Sequence, residues 1–318
     1  MKVIRNTTLL REIKTPVLTL GNFDGLHIGH KRILEKVVGR ARLFGCPSVV
    51  YTFEPHPLKV VAPEKSPPLL IDTEDKIKLI EETGIDCLIF AKFTRDFAAT
   101  HPREFVKDIL VGALSVKEVW VGQDFSFGRG KAGTVGYLKE LGAEFGFKVF
   151  AVPAYRKGGG VISSSRIRAH IKEGEVDKAA SLLGRRYNIK GKVVRGKDIG
   201  KDIGFPTANL EVTSELVPAD GVYAAYAALD DKRYPAVLNI GKAPTFGGKD
   251  RCVEVHILDF KGDIYGKTLE VSFVKRLRDE IVFKSKEALV ARIEKDTKRA
   301  RRILVQRESP AGKAGDKG

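Results

Sequence analysis

Val17-Leu18-Thr19-Leu20 runs directly into Gly21-Asn22-Phe23-Asp24-Gly25-Leu26-His27-Ile28-Gly29-His30, and the reading of this stretch decides the fold of the first half of the chain. The apolar run predicts a short buried strand and the Gly-rich segment a turn, after which Ile33, Leu34, Val37, Val38 and Ala41 recur at helical spacing. Further apolar runs at 48–53, 87–90, 118–121 and 148–152 alternate with helical stretches at 74–82, 102–110 and 135–145. Such alternation predicts a Rossmann-like parallel α/β sheet covered on both faces. Ligands in these sheets bind beyond the carboxyl ends of the strands, where residues 21–30 would lie.

After two short helices expected over 165–184, split around Glu173-Gly174-Glu175, the pattern changes. Residues 187–194, 221–229, 234–240, 251–260 and 269–274 read as strands separated by Gly, Pro and Asp turns, the pattern of a small antiparallel barrel. A final helix follows, with Ser285 as its cap, Glu287 in its first turn, and Leu289, Ile293 and Ala300 on one face. The expected domains are therefore 1–184 and 185–308, with 309–318 as a disordered tail rich in Gly, Lys and Ala.

Two domains fit a length of 318 residues, of which 43% are hydrophobic. Lys and Arg number 56 against 40 Asp and Glu, a formal charge of +16. This favours polyanionic partners, from nucleic acid to phosphorylated small molecules, and equally describes a solvated surface. Cys46, Cys87 and Cys252 are isolated, without C-x-x-C pairs, so neither a zinc site nor a disulfide framework is indicated and a reducing cytoplasm is expected. No stretch approaches the roughly 18 apolar residues of a membrane span, and the N-terminus has no signal-peptide pattern.

Two segments carry chemistry. In the first, His27 and His30 stand three apart at a helix start, so both imidazoles can face a phosphate held over the N-terminal amides while charge develops on it. A polar helix start with histidine caps would look the same. Val161-Ile162-Ser163-Ser164-Ser165-Arg166-Ile167-Arg168 adds hydroxyls and Arg168, suited to a triphosphate or simply to an N-cap. Thr52-Phe53-Glu54-Pro55-His56-Pro57 and Val121-Gly122-Gln123-Asp124-Phe125-Ser126-Phe127-Gly128 add strand-end loops.

In the second segment, Gly196, Gly200 and Gly204, with Lys197 and Lys201, allow a loop to wrap around phosphates, although no Walker G-K-[ST] follows. Phe205-Pro206 stiffens the chain so that Thr207 and Asn209, two apart in an extended stretch, point to one side, where a hydroxyl and an amide oxygen suit Mg²⁺. In Cys252-Val253-Glu254-Val255-His256-Ile257-Leu258 the alternation puts Glu254 and His256 opposite the apolar face, and Glu254 could take a proton from a substrate hydroxyl. An ordinary solvent-facing glutamate satisfies the same alternation.

GNFDGLHIGH, TFEPHP, VGQDFSFG and ISSSRIR, in that order, resemble the adenylyltransferase module of prokaryotic bifunctional riboflavin kinase/FAD synthetases, a member of the nucleotidyltransferase superfamily with H-x-G-H signatures. The resemblance implies that ATP and FMN react to give FAD and pyrophosphate. His27 and His30 would contact ATP, and Asn22, Phe23, Asp124, Ser164, Ser165 and Arg168 would line the site. The family often has Thr where Ser165 stands and, in some members, Asn where Asp124 stands. GFPTAN, with the strings at 221–223, 239–245, 263–266 and 276–280, resembles the riboflavin kinase module, a six-stranded barrel that moves the γ-phosphoryl of ATP to the riboflavin 5′-hydroxyl. That resemblance implies Glu254 as base, Thr207 as Mg²⁺ ligand, and Asn209 with Gly196, Gly200 and Gly204 beside the ATP phosphates.

The expected reading is a cytoplasmic enzyme making FMN from riboflavin and then FAD, with small-molecule substrates and neither nucleic acid nor membrane as partner. The sequence does not specify the oligomeric state. An aminoacyl-tRNA synthetase would also carry a HIGH-type signature, but it expects a K-M-S-K-S string, and the single Met is residue 1. A chain with one active and one silent module is the other alternative, and intact motifs in both halves argue against it.

Overall fold

The computed structural model describes residues 1–5, 10, 12–195, 204–230, 232–242 and 251–308. Gly196, Gly200, Lys197, Lys201, the residues 243–245 and the tail 309–318 lie outside the described residues. The chain divides into two compact units, Met1–Ser164 and Ser165–Gly318.

The first unit is built on β1 (Lys2–Ile4), β2 (Val17–Leu20), β3 (Ser48–Glu54), β4 (Cys87–Lys92), β5 (Glu118–Gly122) and β8 (Lys148–Val152). The short hairpins β6 (Ser126–Phe127) with β7 (Gly133–Thr134), and β9 (Arg156–Lys157) with β10 (Gly160–Val161), stand apart from that sheet. The six main strands are all parallel, in the order β1-β4-β3-β2-β5-β8. Alternation along each strand divides the core into two layers. Leu18, Leu20, Val49 and Tyr51 face the helical stretch around Phe105, Val106 and Leu110, while Val17 and Val50 face Leu34, Val37, Val38 and Ala41 of the helix Ile28–Phe44.

Strand order matters more for function than strand count. From β2 the chain runs outward through β3 and β4, then crosses back to lay β5 on the other side of β2. The crevice between β2 and β5 is thus a topological switch point, and the loops leaving both strands open above it. The stretch expected as a helix over 102–110 is one short turn, Pro102–Glu104, followed by wider π-helical turns through Phe105–Ala113.

The second unit begins with two helices, Ser164–Lys172 and Val176–Leu183, the latter ended by Gly184 in the left-handed region at φ 74°. Then β11 (Asn188–Val194), β12 (Ala208–Val212), β13 (Gly221–Leu229), β14 (Lys232–Lys242), β15 (Arg251–Ile257) and β16 (Thr268–Arg278) close into an antiparallel barrel, in the order β11-β12-β15-β14-β13-β16. Tyr223, Leu238, Val253, Val255 and Phe273 are among its fully buried residues. The helix Val176–Leu183 packs on β16.

The C-terminal helix Lys286–Glu308 starts where expected, with the Ala288 N–H donating to Ser285 Oγ at 3.2 Å. It lays Ala300 and Leu304 against Val222, Ala224, Tyr226 and Val274, so β13 is buried on its outer face as well. The same face carries Asp296, buried and held by Arg278 Nε at 2.7 Å and by Arg292 Nε at 3.3 Å.

Candidate active sites

The loop after β2 takes an unusual backbone path. Phe23 (φ 47°), Gly25 (φ 77°) and Leu26 (φ 36°) all occupy the left-handed region, which costs a non-glycine residue about 1–2 kcal/mol. Phe23 and Leu26 are buried, and their packing offsets that cost. Gly25 has no alternative, because a Cβ there would stand 2.6 Å from Leu70 Cδ1. Asp24, also buried, accepts a hydrogen bond from the Leu70 N–H at 3.0 Å, so the segment before the helix Thr73–Glu81 straps the loop down.

His27 is the N-cap of the helix Ile28–Phe44, its Nδ1 accepting from the His30 N–H at 3.2 Å. Its proton in the neutral ring therefore sits on Nε2. The His27 and His30 rings stack with centroids 3.6 Å apart, and Phe23 meets His30 edge-on at 5.3 Å. A Cβ on Gly29 would lie 3.2 Å from the His27 ring, so the turn is tight where the two imidazoles meet. Burial holds His30 well below the usual histidine range, and the nearby His27 and Lys76 push the same way. His30 Nδ1 is buried and makes no hydrogen bond. Stacked imidazoles over a helix start with no acidic residue in its first turn form a donor cluster for an anion.

Asn22 and Lys76 complete the rim. The Asn22 carbonyl accepts from Lys76 Nζ at 3.0 Å and from Thr52 Oγ1 at 3.3 Å, and its amide lies 3.4 Å from His56 Nε2. Burial lowers the Lys76 pKa, opposed by Asp24 and Glu54. Ser164 Oγ donates to the Asp24 carbonyl at 2.9 Å, joining the Ser-rich string to the His27 loop. Ser165, exposed, and Arg168, buried, follow in the same helix, and Asp124 is exposed just beyond β5, the strand beside β2.

In the barrel, three polar residues fall in one row across neighbouring strands. Asn209 on β12 pairs with Glu254 on β15, which pairs with Asn239 on β14. Val253 and Val255 are buried on the other face of β15, so the row lies on the outer side of the barrel wall. Burial raises the Glu254 pKa above the ordinary glutamate value, a hydrogen bond from Asn239 opposes the rise, and the Glu280 charge adds to it. Cys252 Sγ donates to Asn209 Oδ1 at 3.3 Å. The amide oxygen expected to face a metal is thus engaged by a thiol, and the Asn209 NH₂ is a group that can only donate.

Thr207 lines a cavity of about 430 Å³ together with Val193, Val255, Ile257, Ile264 and Tyr265. Its apolar walls and the hydroxyl at its edge suit a flat aromatic base next to a phosphate chain. Gly204 precedes this edge and, of the three loop glycines, is the one that is described.

The FAD synthetase family profile matches residues 10–166 and the riboflavin kinase profile residues 183–304. The bifunctional riboflavin kinase/FMN adenylyltransferase of Escherichia coli K12 is 38% identical over 307 residues, covering 96% of this chain and 98% of that protein. This chain belongs to the family of bifunctional riboflavin kinase/FMN adenylyltransferases. The Haemophilus influenzae member is 37% identical over 92% of this chain and 95% of its own. A solved structure described as a macrolide-efflux protein from Streptococcus pneumoniae superposes with a TM-score of 0.84 at 33% identity, covering 94% of this chain and 98% of that one. Among the described residues of this riboflavin kinase/FMN adenylyltransferase, no helix is long and apolar enough to cross a membrane.

The structure brings Asn22, Phe23, His27, His30 and Ser164 around one loop, and Asn209 and Glu254 into one row. Motif reading missed Lys76, Asn239 and the Cys252 contact. Lys76 lies in an ordinary amphipathic helix, with nothing in its neighbours to mark it. Asn239 was within reach, since it occupies the outward face of a strand in a string already singled out.

Proposed function

We propose that the parallel-sheet unit joins FMN to the adenylyl group of ATP and that the barrel phosphorylates riboflavin, so that the second activity feeds the first. The observation that carries this reading is the Asn209–Glu254–Asn239 row, a partly buried carboxylate of raised pKa on the outer face of the barrel wall, with Thr207 two residues before Asn209 at the edge of a cavity. In the kinase step Glu254 takes the proton of the 5′-hydroxyl as the oxygen attacks the γ-phosphorus, and ADP leaves. The Thr207 hydroxyl is a hard oxygen donor that fits Mg²⁺, and the ion, when bound, neutralises charge on the phosphates. Asn209 donates to the phosphate chain, with the glycines at 196, 200 and 204 around it. We place the adenine in the Thr207 cavity.

In the second step an FMN phosphate oxygen attacks the α-phosphorus of ATP and pyrophosphate leaves. His27 Nε2–H, His30 and Lys76 stabilise the added charge as fixed donors that need little reorganisation. Asn22, Phe23, Ser164, Ser165, Arg168 and Asp124 line this site in the same reading. By chemistry the boundary falls at 184, since the Ser164 to Arg168 string serves adenylylation. The substrates are small soluble molecules, which supports a cytoplasmic enzyme without nucleic-acid or membrane partners.

The test is incubation of the purified protein with riboflavin, ATP and Mg²⁺, followed by chromatography of the flavins. FMN appears first and FAD after it. Absence of both products from folded protein refutes the reading.

A further inference from the structure

His256 has no part in the chemistry above, yet it holds the segment on which that chemistry depends. The β12–β15 ladder pairs Asn209 with Glu254 and Ala208 with Val255, so the next position along would set Thr207 against His256. The strand β12 begins at Ala208, and Pro206 has no N–H with which to extend the ladder. Where backbone pairing ends, the His256 side chain takes over. Its Nδ1 lies 2.8 Å from the Pro206 carbonyl oxygen, and its ring meets Phe205 at 5.5 Å with an interplanar angle of 73°. A carbonyl only accepts, so Nδ1 carries the proton and donates.

We infer that His256 is a positioning residue of the kinase site, fixing the Pro206–Thr207 peptide so that Thr207 addresses the ATP phosphates. This rests on the proposed kinase reading. A trans peptide is planar, with its C=O and the following N–H pointing in opposite directions. Anchoring the Pro206 carbonyl on His256 therefore turns the Thr207 N–H away from the imidazole and sets the direction of the Thr207 side chain. Pro206 and Thr207 both border the cavity, so the orientation of this one peptide sets its polar edge. Gly204, at φ 85°, turns the chain just before the anchored stretch. The anchor is thus the first fixed point between that turn and the barrel wall. Loss of it should weaken nucleotide binding more than it slows the proton transfer at Glu254.

The experiment compares His256→Ala, His256→Phe and His256→Asn in the full chain, measuring FMN formation at varied MgATP and at varied riboflavin. His256→Phe keeps a ring against Phe205 without the N–H, and His256→Asn returns a short N–H donor. For Ala and Phe the KM for MgATP should rise roughly 3- to 10-fold, the worth of one hydrogen bond. The riboflavin KM should stay within two-fold, and Asn should recover most of the loss. FAD formation from supplied FMN, which uses the other unit, should be unchanged, and a thermal melt against the parent reports that the barrel is folded. If Ala does not fold, Phe decides. A MgATP KM within two-fold of the parent, or an equal rise in both KM values, overturns the inference. Absence of FMN formation in the parent protein instead overturns the kinase reading itself.

Discussion

Replacing Glu254 by Gln tests the kinase assignment most sharply, because the change keeps shape while removing basicity. Asn239 still has an oxygen to donate to, and the outward position leaves the Val253 and Val255 packing untouched. What disappears is the proton acceptor, worth about 10² to 10⁴ in rate. At 1.36 kcal/mol per decade this is a barrier increase of roughly 3–5 kcal/mol. Stability moves the other way. Burial raises the Glu254 pKa, so the folded state holds the proton more tightly than the unfolded chain. The charged group therefore costs nothing below the ordinary glutamate pKa, and its penalty grows as pH rises through the window between the unfolded and folded values. Above that window Glu254→Gln should melt at or above the parent's temperature. The assay is the initial rate of FMN formation at saturating riboflavin and MgATP, with thermal melts at pH 5 and pH 8. A rate within a few-fold of the parent refutes the base assignment, and a melt several degrees lower at pH 8 refutes the electrostatic argument.

Two further outcomes follow from the units taken separately. His27→Ala combined with His30→Ala should stop FAD formation while FMN accumulates at the parental rate, which flavin chromatography reads directly; an equal fall in FMN from folded protein contradicts the two-site assignment. A fragment 165–308 should outlast 185–308 in thermal melts and retain riboflavin phosphorylation, because the shorter piece loses Val176, Leu182 and Leu183, buried in a helix packed on β16. At about 1.5–3 kcal/mol per side chain the loss is roughly 5–9 kcal/mol, comparable with the stability of a whole domain. Equal melting temperatures would show that these helices contribute nothing to the barrel.

Much of this architecture was legible because periodicity and glycine placement report burial directly. The apolar runs at 118–121 and 148–152 became β5 and β8 almost residue for residue, and Ser285 caps the last helix as its position suggested. Lys2–Ile4 was missed as a strand because one of its three residues is charged and a second, Val3, is exposed. Its place in the sheet comes from pairing with β4. The turns at 105–113 widened to π geometry, which no residue pattern announces. Asp296 was hidden for a different reason: a helical face was read by its apolar members, while its center is a carboxylate that Arg278 and Arg292 make tolerable. The same holds for the sites. Motif residues close in sequence were visible, but Lys76 at Asn22 and Cys252 at Asn209 depend on approaches across 54 and 43 residues.

The outer covering of β13 by the last helix sets the order in which a ribosome can deliver this protein. The parallel sheet is complete once residue 152 has emerged, and among the described residues no later strand pairs with it. The barrel has no such early finish, because β11 pairs with β16 and the wall stays open until residue 278 is out. Even then Val222, Ala224 and Tyr226 face water until Ala300 and Leu304 arrive. Nascent chains therefore pass through a stage in which a finished N-terminal body trails an unsealed apolar strand, the period in which β-rich chains aggregate. Premature stops after residue 278 should be soluble in the first unit and sticky in the second.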